Sequence, residues 1–153
     1  MSEPPPDPFA PVELNGQIWT GKNLAIDDGG EGIYHKTVNY GRGDVEEYYY
    51  THGAAERVVA SIDGWHIATY NDWSGIKSKI GQKALCADYG WSSSLVGTNT
   101  SNFTALPAGK WDGSTGLEAY FWTEYDSIFF MIDIMGMRQV VGNVPMSVRL
   151  VKD

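Results

Sequence analysis

Three histidines, one cysteine and a short run of loop acids are the residues of this 153-residue chain whose types invite chemistry. His35, His52 and His66 do not stand at the short helical or hairpin spacings that metal sites favour. His66 lies between Trp65 and Ile67 and reads as a structural histidine, bonded to backbone at a strand–helix corner. His35 and His52 read as surface residues. Cys86 stands alone, which excludes an intrachain disulfide and a multi-thiolate metal site. Nothing in the sequence places a histidine or asparagine beside it, so it reads as a small packed thiol rather than a nucleophile. Asp27, Asp28 and Glu31 offer oxygen ligands of the kind calcium takes, but their spacing is not that of an EF-hand loop, and they read as solvated loop acids. Asp133, alone in an apolar run, requires a partner if buried, and Arg138 or Arg149 can supply it. Asn99-Thr100-Ser101 and Asn102-Phe103-Thr104 match the glycosylation sequon, which carries meaning only behind a secretory signal. The sequence contains no phosphate loop, dinucleotide fingerprint, serine elbow or zinc helix. The expectation is therefore no catalytic residue, no cofactor and no metal. Binding chemistry rests on the aromatics: Tyr89, Trp91, Trp111 and Tyr125 are the expected exposed contacts, because rings with polar neighbours suit recognition surfaces.

Local signals specify the elements that must carry these residues. Asn15-Gly16 is a tight-turn pair followed by a short strand through Trp19. Asp27 to Gly32 is a glycine-rich loop, and Tyr48-Tyr49-Tyr50 is strand-like. Ala55, Val58, Val59 and Ile62 recur at helical spacing, with Thr51 as a cap and Asp63-Gly64 as the stop. Thr69 followed by Asp72 resembles a capping box, opening a second helix through about Ile80 whose stripe is Trp73, Ile76 and Ile80, with Gly81 ending it. Residues 88–116 lose helical periodicity but keep Trp91, Phe103, Leu106 and Trp111, which predicts a long ordered loop region. Three strands are expected after it, at about 117–123, 127–135 and 146–151. The middle one is apolar on both faces, and the last, alternating Ser147 and Arg149 with Val148 and Leu150, is expected half exposed. The order predicts an α+β domain with two helices and a small antiparallel sheet.

Composition sets the outer limits. Hydrophobic residues make up 42% and charged residues 20%, enough for a core in one ordinary domain. Lys+Arg 11 against Asp+Glu 19 leaves a net charge of −8, which argues against nucleic acid as a partner. No apolar run approaches the roughly 20 residues a bilayer span requires. Pro4, Pro5, Pro6, Pro8 and Pro11 crowd residues 1–11 into an expected extended arm, with Phe9 as its anchor on a partner surface, ahead of a domain over 12–153.

Five segments in order carry a resemblance. Gly16-Gln17-Ile18-Trp19 with Asn23-Leu24, Gly64-Trp65-His66-Ile67-Ala68-Thr69 with Trp73, Phe103-Thr104-Ala105-Leu106-Pro107-Ala108-Gly109, Tyr120-Phe121-Trp122-Thr123-Glu124 and Ser147-Val148-Arg149-Leu150-Val151-Lys152-Asp153 together span about residues 14–153. They resemble motifs of the Fibrobacter succinogenes major paralogous (FISUMP) domain, a family within the C-type lectin-like fold. The resemblance implies that fold, with Trp19, Trp65, Trp73 and Trp122 in the core and His66 as part of the structural motif. It also implies a disulfide, whose two cysteines are replaced here by Ser61 and Leu150. That double loss suits folding where thiols stay reduced.

The resulting expectation is a non-catalytic lectin-like module for binding and display, carried on a phage particle. It would contact other virion proteins or copies of itself as a homo-oligomer, with a host-surface glycan or protein as target and no membrane insertion. Two alternatives stay open: an exported bacterial cell-surface binding protein, and an enzyme using Cys86 on the related formylglycine-generating fold.

Overall fold

The computed structural model describes residues 9–92, 97–113 and 115–153. The chain runs β1 (Pro11–Leu14), β2 (Gln17–Thr20), β3 (Ile33–Asn39), β4 (Asp44–Tyr50), α1 (His52–Ala60), β5 (Trp65–Ile67), α2 (Tyr70–Lys79), a one-turn α3 (Gln82–Leu85), β6 (Ala119–Trp122), β7 (Ile128–Asp133), β8 (Gly136–Val141) and β9 (Leu150–Lys152). It is a mixed α+β architecture made mostly of strands. The strands form three small antiparallel sheets, ordered β1-β2-β9-β5, β3-β4 and β6-β7-β8. The described residues thus hold three helices and three sheets where two helices and one sheet were expected.

The strongest local signals produce the elements they predict. Asn15 and Gly16 both take positive φ, at 53° and 75°, so the β1–β2 hairpin closes on the two-residue turn whose twist matches its strands. The Thr51 side chain accepts from Ala54 N at the start of α1. At α2 the reciprocal capping box forms: Thr69 accepts from Asp72 N, and Asp72 accepts from Thr69 N. Between Leu85 and Ala119 the described residues contain no regular helix or strand, as the mixed aromatic and polar composition predicts.

Packing alternates across the strands. Ala119 and Phe121 of β6 face one core with Trp19, Trp73, Ile76, Phe103, Phe130 and Ile132. Tyr120 and Trp122, on the opposite face, enter a second core with Tyr50, α1 and Met146. β7 divides likewise, so both strands are walls between two cores. Trp19, Trp73 and Trp122 are fully buried, but Trp65 is only half-buried, at an edge where the Phe9 ring meets it at 5.4 Å.

Residues 146–152 join the three sheets. Met146 bridges Tyr50 at the end of β4, and Ser147 bridges Phe121 of β6. β9 pairs with β2 through Trp19↔Val151 and with β5 through Trp65↔Lys152 to Ile67↔Leu150. This segment was expected to be half exposed, and the structure corrects that. Ser147, Val148, Arg149 and Leu150 are all buried, because Arg149 finds internal partners and the segment is central rather than peripheral.

Other expectations need correction. The strand expected at 127–135 stops at Asp133, turns through exposed Ile134 and Met135, and returns as β8. Asp133 accepts from Met135 N and takes a bidentate pair from Arg138, so a local carboxylate turn overrides the apolar run. Pro11 begins β1, paired with Thr20, instead of belonging to an arm. Phe9 packs on Trp65 of its own domain, and Gly21 N donates to its carbonyl. Pro4, Pro5, Pro6 and Pro8 lie outside the described residues.

Candidate binding site: a cleft beside a buried arginine

The four aromatics expected at the contact surface do not come together, and no ring contact joins them among the described residues. Trp91 is half-buried, and its indole N–H donates to Ala105 O at 3.1 Å, which pins it to the core. Trp111 stacks on Tyr34 at 5.1 Å, with Lys36 Nζ 5.8 Å from its ring. Tyr125 is exposed in the β6–β7 turn. Tyr89 alone borders a substantial recess, and the Arg42 guanidinium lies 3.8 Å from its ring centre.

That recess has a volume of about 760 Å3, within the usual range for small-ligand sites. Val12 of β1, Ala25 beyond β2, Val45 of β4, and Leu106 in the long loop region give it apolar walls. Its charged and polar residues include Glu47, Asn23 and Arg149, with Lys22 and Glu46 as further ionisable side chains. Alternation along β4 puts Val45 and Glu47 on one face. β4 reaches the cleft because it is paired along its whole length with β3.

Arg149 is the organising residue. Its Nε donates to Asn23 Oδ1 at 2.6 Å, Nη1 donates to Thr20 O at 3.0 Å and Phe103 O at 2.7 Å, and Nη2 donates to Thr104 O at 3.0 Å. The guanidinium also lies 4.2 Å from the Phe103 ring centre. Burial lowers its pKa from the usual arginine value, and the charge of Glu47 acts in the opposite direction. Glu47 is buried as well. Tyr40 O–H donates to its Oε2 at 2.6 Å, while among the described residues Oε1 has a long 3.5 Å contact from Asn23 Nδ2. Burial first, then the charge of Glu47, pushes Tyr40 far above the ordinary phenol range, so it remains a donor. Asn23 therefore sits between two buried opposite charges and touches both.

These residues were not expected at a site. A lone arginine between two apolar residues, in Val148-Arg149-Leu150, is the signal that marks a buried cation, but the same alternation also describes a half-exposed strand. Glu47 is hidden in the same way, as one of two adjacent acids.

The residues first considered for chemistry take structural positions. Cys86 is fully buried, and burial pushes its thiol up to about 12. We expect thiol reagents at pH 8 to leave the native protein unlabelled and to modify Cys86 fully in denaturant; rapid native labelling would contradict this placement. Asp28 is held by Arg57, which donates to both carboxylate oxygens and lowers its pKa to about 2, and Asp27 accepts from Gly29 N at 2.8 Å. His35 is exposed and lies 2.6 Å from Glu46 Oε2. His52, expected on the surface, is buried against Trp122, with Nε2 donating to Thr123 O at 3.0 Å.

His66 bonds carboxylates rather than backbone. Its Nδ1 is 2.7 Å from Asp153 Oδ1 and its Nε2 is 3.0 Å from Asp72 Oδ2. Partial burial lowers its pKa, but Asp153 and then Asp72 outweigh this and the net shift is upward. A raised folded-state value means that the stabilisation is complete below the unfolded histidine pKa and disappears as pH rises through the folded one. We expect wild type to lose melting temperature across the neutral-to-alkaline side of that window and His66→Gln to stay flat there. Parallel profiles for the two proteins would remove His66 from the account. No protein-family model, curated protein or solved structure matches the chain.

Proposed function

We propose that this protein is a non-catalytic, lectin-like binding and display module whose contact site is the cleft beside Arg149. The observation that carries the reading is the construction of that cleft. Two buried, opposite charges are already oriented by protein partners, and apolar walls surround them, so a ligand meets polar groups that need no reorganisation. The lectin-like assignment rests on the five sequence motifs. It is supported by the packing of Leu150, which is buried in the core that Val58 and Val59 of α1 enter, while Ser61 caps that helix. Apolar packing thus stands at one position for which the resemblance implies a cysteine. Display on a phage particle, with virion proteins as neighbours and a host-surface glycan or protein as target, extends the same resemblance.

A ligand that binds the folded state raises its melting temperature by mass action. The test is a thermal-shift screen of wild type and Val45→Trp against simple sugars, amino acids, nucleosides and short peptides. Val45 lies on an exposed part of β4, so tryptophan there narrows the cleft while leaving the cores intact. We expect at least one class to stabilise wild type and not the variant, and mass spectrometry to recover it unchanged. A ligand recovered chemically altered would make the protein an enzyme. Identical shifts in both proteins, or none in either, would remove the cleft as the contact site.

A further inference from the structure

We infer that β8 is a docking edge for a second copy of this chain, the two copies joining their β6-β7-β8 sheets about a two-fold axis at Gln139. An open sheet edge invites another strand, and folded proteins ordinarily blunt such edges with proline, charge, bulges or short length. The other edges of this fold are blunted or covered. β1 begins with Pro11 and carries Glu13, β5 has three residues, β3 carries Lys36, and β4 carries Asp44 and Glu46. On β6, Ala119 bridges Gly109 and Phe121 bridges Ser147. β8 has six residues with no proline, lysine or bulge, and among the described residues no strand or bridge lies on its side away from β7. Exposed apolar residues flank it at both ends: Ile134 and Met135, 51% and 82% exposed, at one, and Val141, 71% exposed, at the other.

The ladder fixes which backbone groups the edge offers. Gly142 N donates to Ser127 O, and bonded and non-bonded positions alternate along an antiparallel pair, so Gly136, Arg138 and Val140 turn their backbone groups to β7. Met137, Gln139 and Val141 turn theirs outward. Antiparallel pairing centred on Gln139 sets that residue against its own copy and Val141 of each chain against Met137 of the other. Every outward N–H and C=O of the strand is then paired, whereas any other register leaves some of them open. The side chains suit the same register. Val141 of one copy meets Met137 of the other, a member of the first core, and the two Gln139 amides can each donate and accept. Charge points to this face as well. Two chains of net charge −8 repel each other, but residues 134–148 contain one ionisable side chain, Arg138. Asp133 already holds it in a bidentate pair, and Glu118 is the further acid that acts on it. A six-residue edge is about 20 Å long. The area it buries falls at the lower end for specific complexes, so the dimer is reversible, with a dissociation constant on the order of 10 µM.

Sedimentation equilibrium and oxidative cross-linking of the full chain test the inference. We expect a monomer–dimer equilibrium that Val141→Lys weakens about tenfold or more, because a lysine there is set against an apolar side chain of the other copy. Ile18→Lys, at an exposed apolar position of β2, should leave it unchanged. Cross-linking reads the register. Facing residues of a bonded antiparallel pair have Cα atoms about 5.5 Å apart, within disulfide reach. Gln139→Cys should therefore form a covalent dimer under mild oxidation. Val141→Cys should not, although its position is 71% exposed, because its two copies stand about 14 Å apart in this register. Cys86 is buried and supplies no competing thiol. A wild-type monomer up to about 300 µM, far above the expected constant, would overturn the inference. So would a dimer that both lysine variants weaken equally or that neither weakens, equal cross-linking of the two cysteine variants, or growth past the dimer into open chains. None of these residues lines the cleft beside Arg149, so failure here leaves the thermal-shift result for the cleft untouched.

Discussion

Arg149→Met should lower the melting temperature by about 10–15 °C, corresponding to roughly 3–5 kcal/mol in a domain of this size. Buried ion pairs exchanged for apolar side chains often cost nothing, because both charges leave together. Arg149 is a different case. Its partners are the carbonyls of Thr20, Phe103 and Thr104 and the amide oxygen of Asn23, and three of those four are backbone that no substitution removes. Methionine fills the volume but leaves these acceptors dry and unpaired, and the buried Glu47 loses the guanidinium beside it. Relief of the buried cation's desolvation offsets only part of that loss. Arg149→Lys should recover less than half of it, since one ammonium cannot reach acceptors spread around a planar fork. The measurement is thermal and urea unfolding of the three proteins. A methionine variant within about 1 kcal/mol of wild type would show that packing, not hydrogen bonding, holds the loop region to β9.

Trp73→Ala should cost a similar or larger amount, about 3–5 kcal/mol, and should leave the protein largely unfolded at 37 °C if its total stability sits at the lower end of the ordinary range. Trp73 is fully buried and touches four rings: Phe121 stacked at 4.9 Å, Phe130 at 6.0 Å, and Trp19 and Phe103 edge-on at 4.9 and 5.9 Å. Removing it opens a void in the first core that the surrounding β6, β7 and β2 cannot collapse to fill, because each is held in a sheet. The milder substitution is informative. The Trp73 indole N–H donates to Trp122 O at 3.3 Å, whereas the buried Trp19 N–H has no hydrogen-bond acceptor among the described residues. Trp73→Phe should therefore destabilise more than Trp19→Phe when the two are compared by urea unfolding. The reverse order would mean that ring volume alone decides.

How far this architecture can be read from the chain depends on how local each signal is. α1, α2 and the Asn15-Gly16 turn are legible because a cap, a stop and a periodic stripe fall within a few residues of one another. The β7 interior is legible because Ile128 to Ile132 is apolar on both faces. β3 escapes notice because Ile33 to Asn39 alternates weakly and mixes His35 and Lys36 into the run; its strand character depends on pairing with β4 across the hairpin. β8 escapes because Ile134 and Met135 look like strand interior, while the Asp133 carboxylate that makes the turn acts through contacts the sequence does not display. The cleft is less legible still. Of the expected contacts only Tyr89 reaches it. Asn23, Glu47 and Arg149 are separated by 24 to 126 positions and share no motif that announces their meeting. Burial decided their significance, and alternation alone cannot tell a buried arginine from a solvated one.

Closure of all three sheets through residues 146–152 has a consequence for biosynthesis. A ribosome that has translated as far as Pro145 has produced a chain lacking the central strand of one sheet and the guanidinium that ties down the loop region. The β1–β2, β3–β4, β6–β7 and β7–β8 hairpins and both longer helices can form transiently by then, but their aromatic faces have nothing to seat against. The domain is therefore expected to reach its native packing only once residues 146–152 have cleared the exit tunnel.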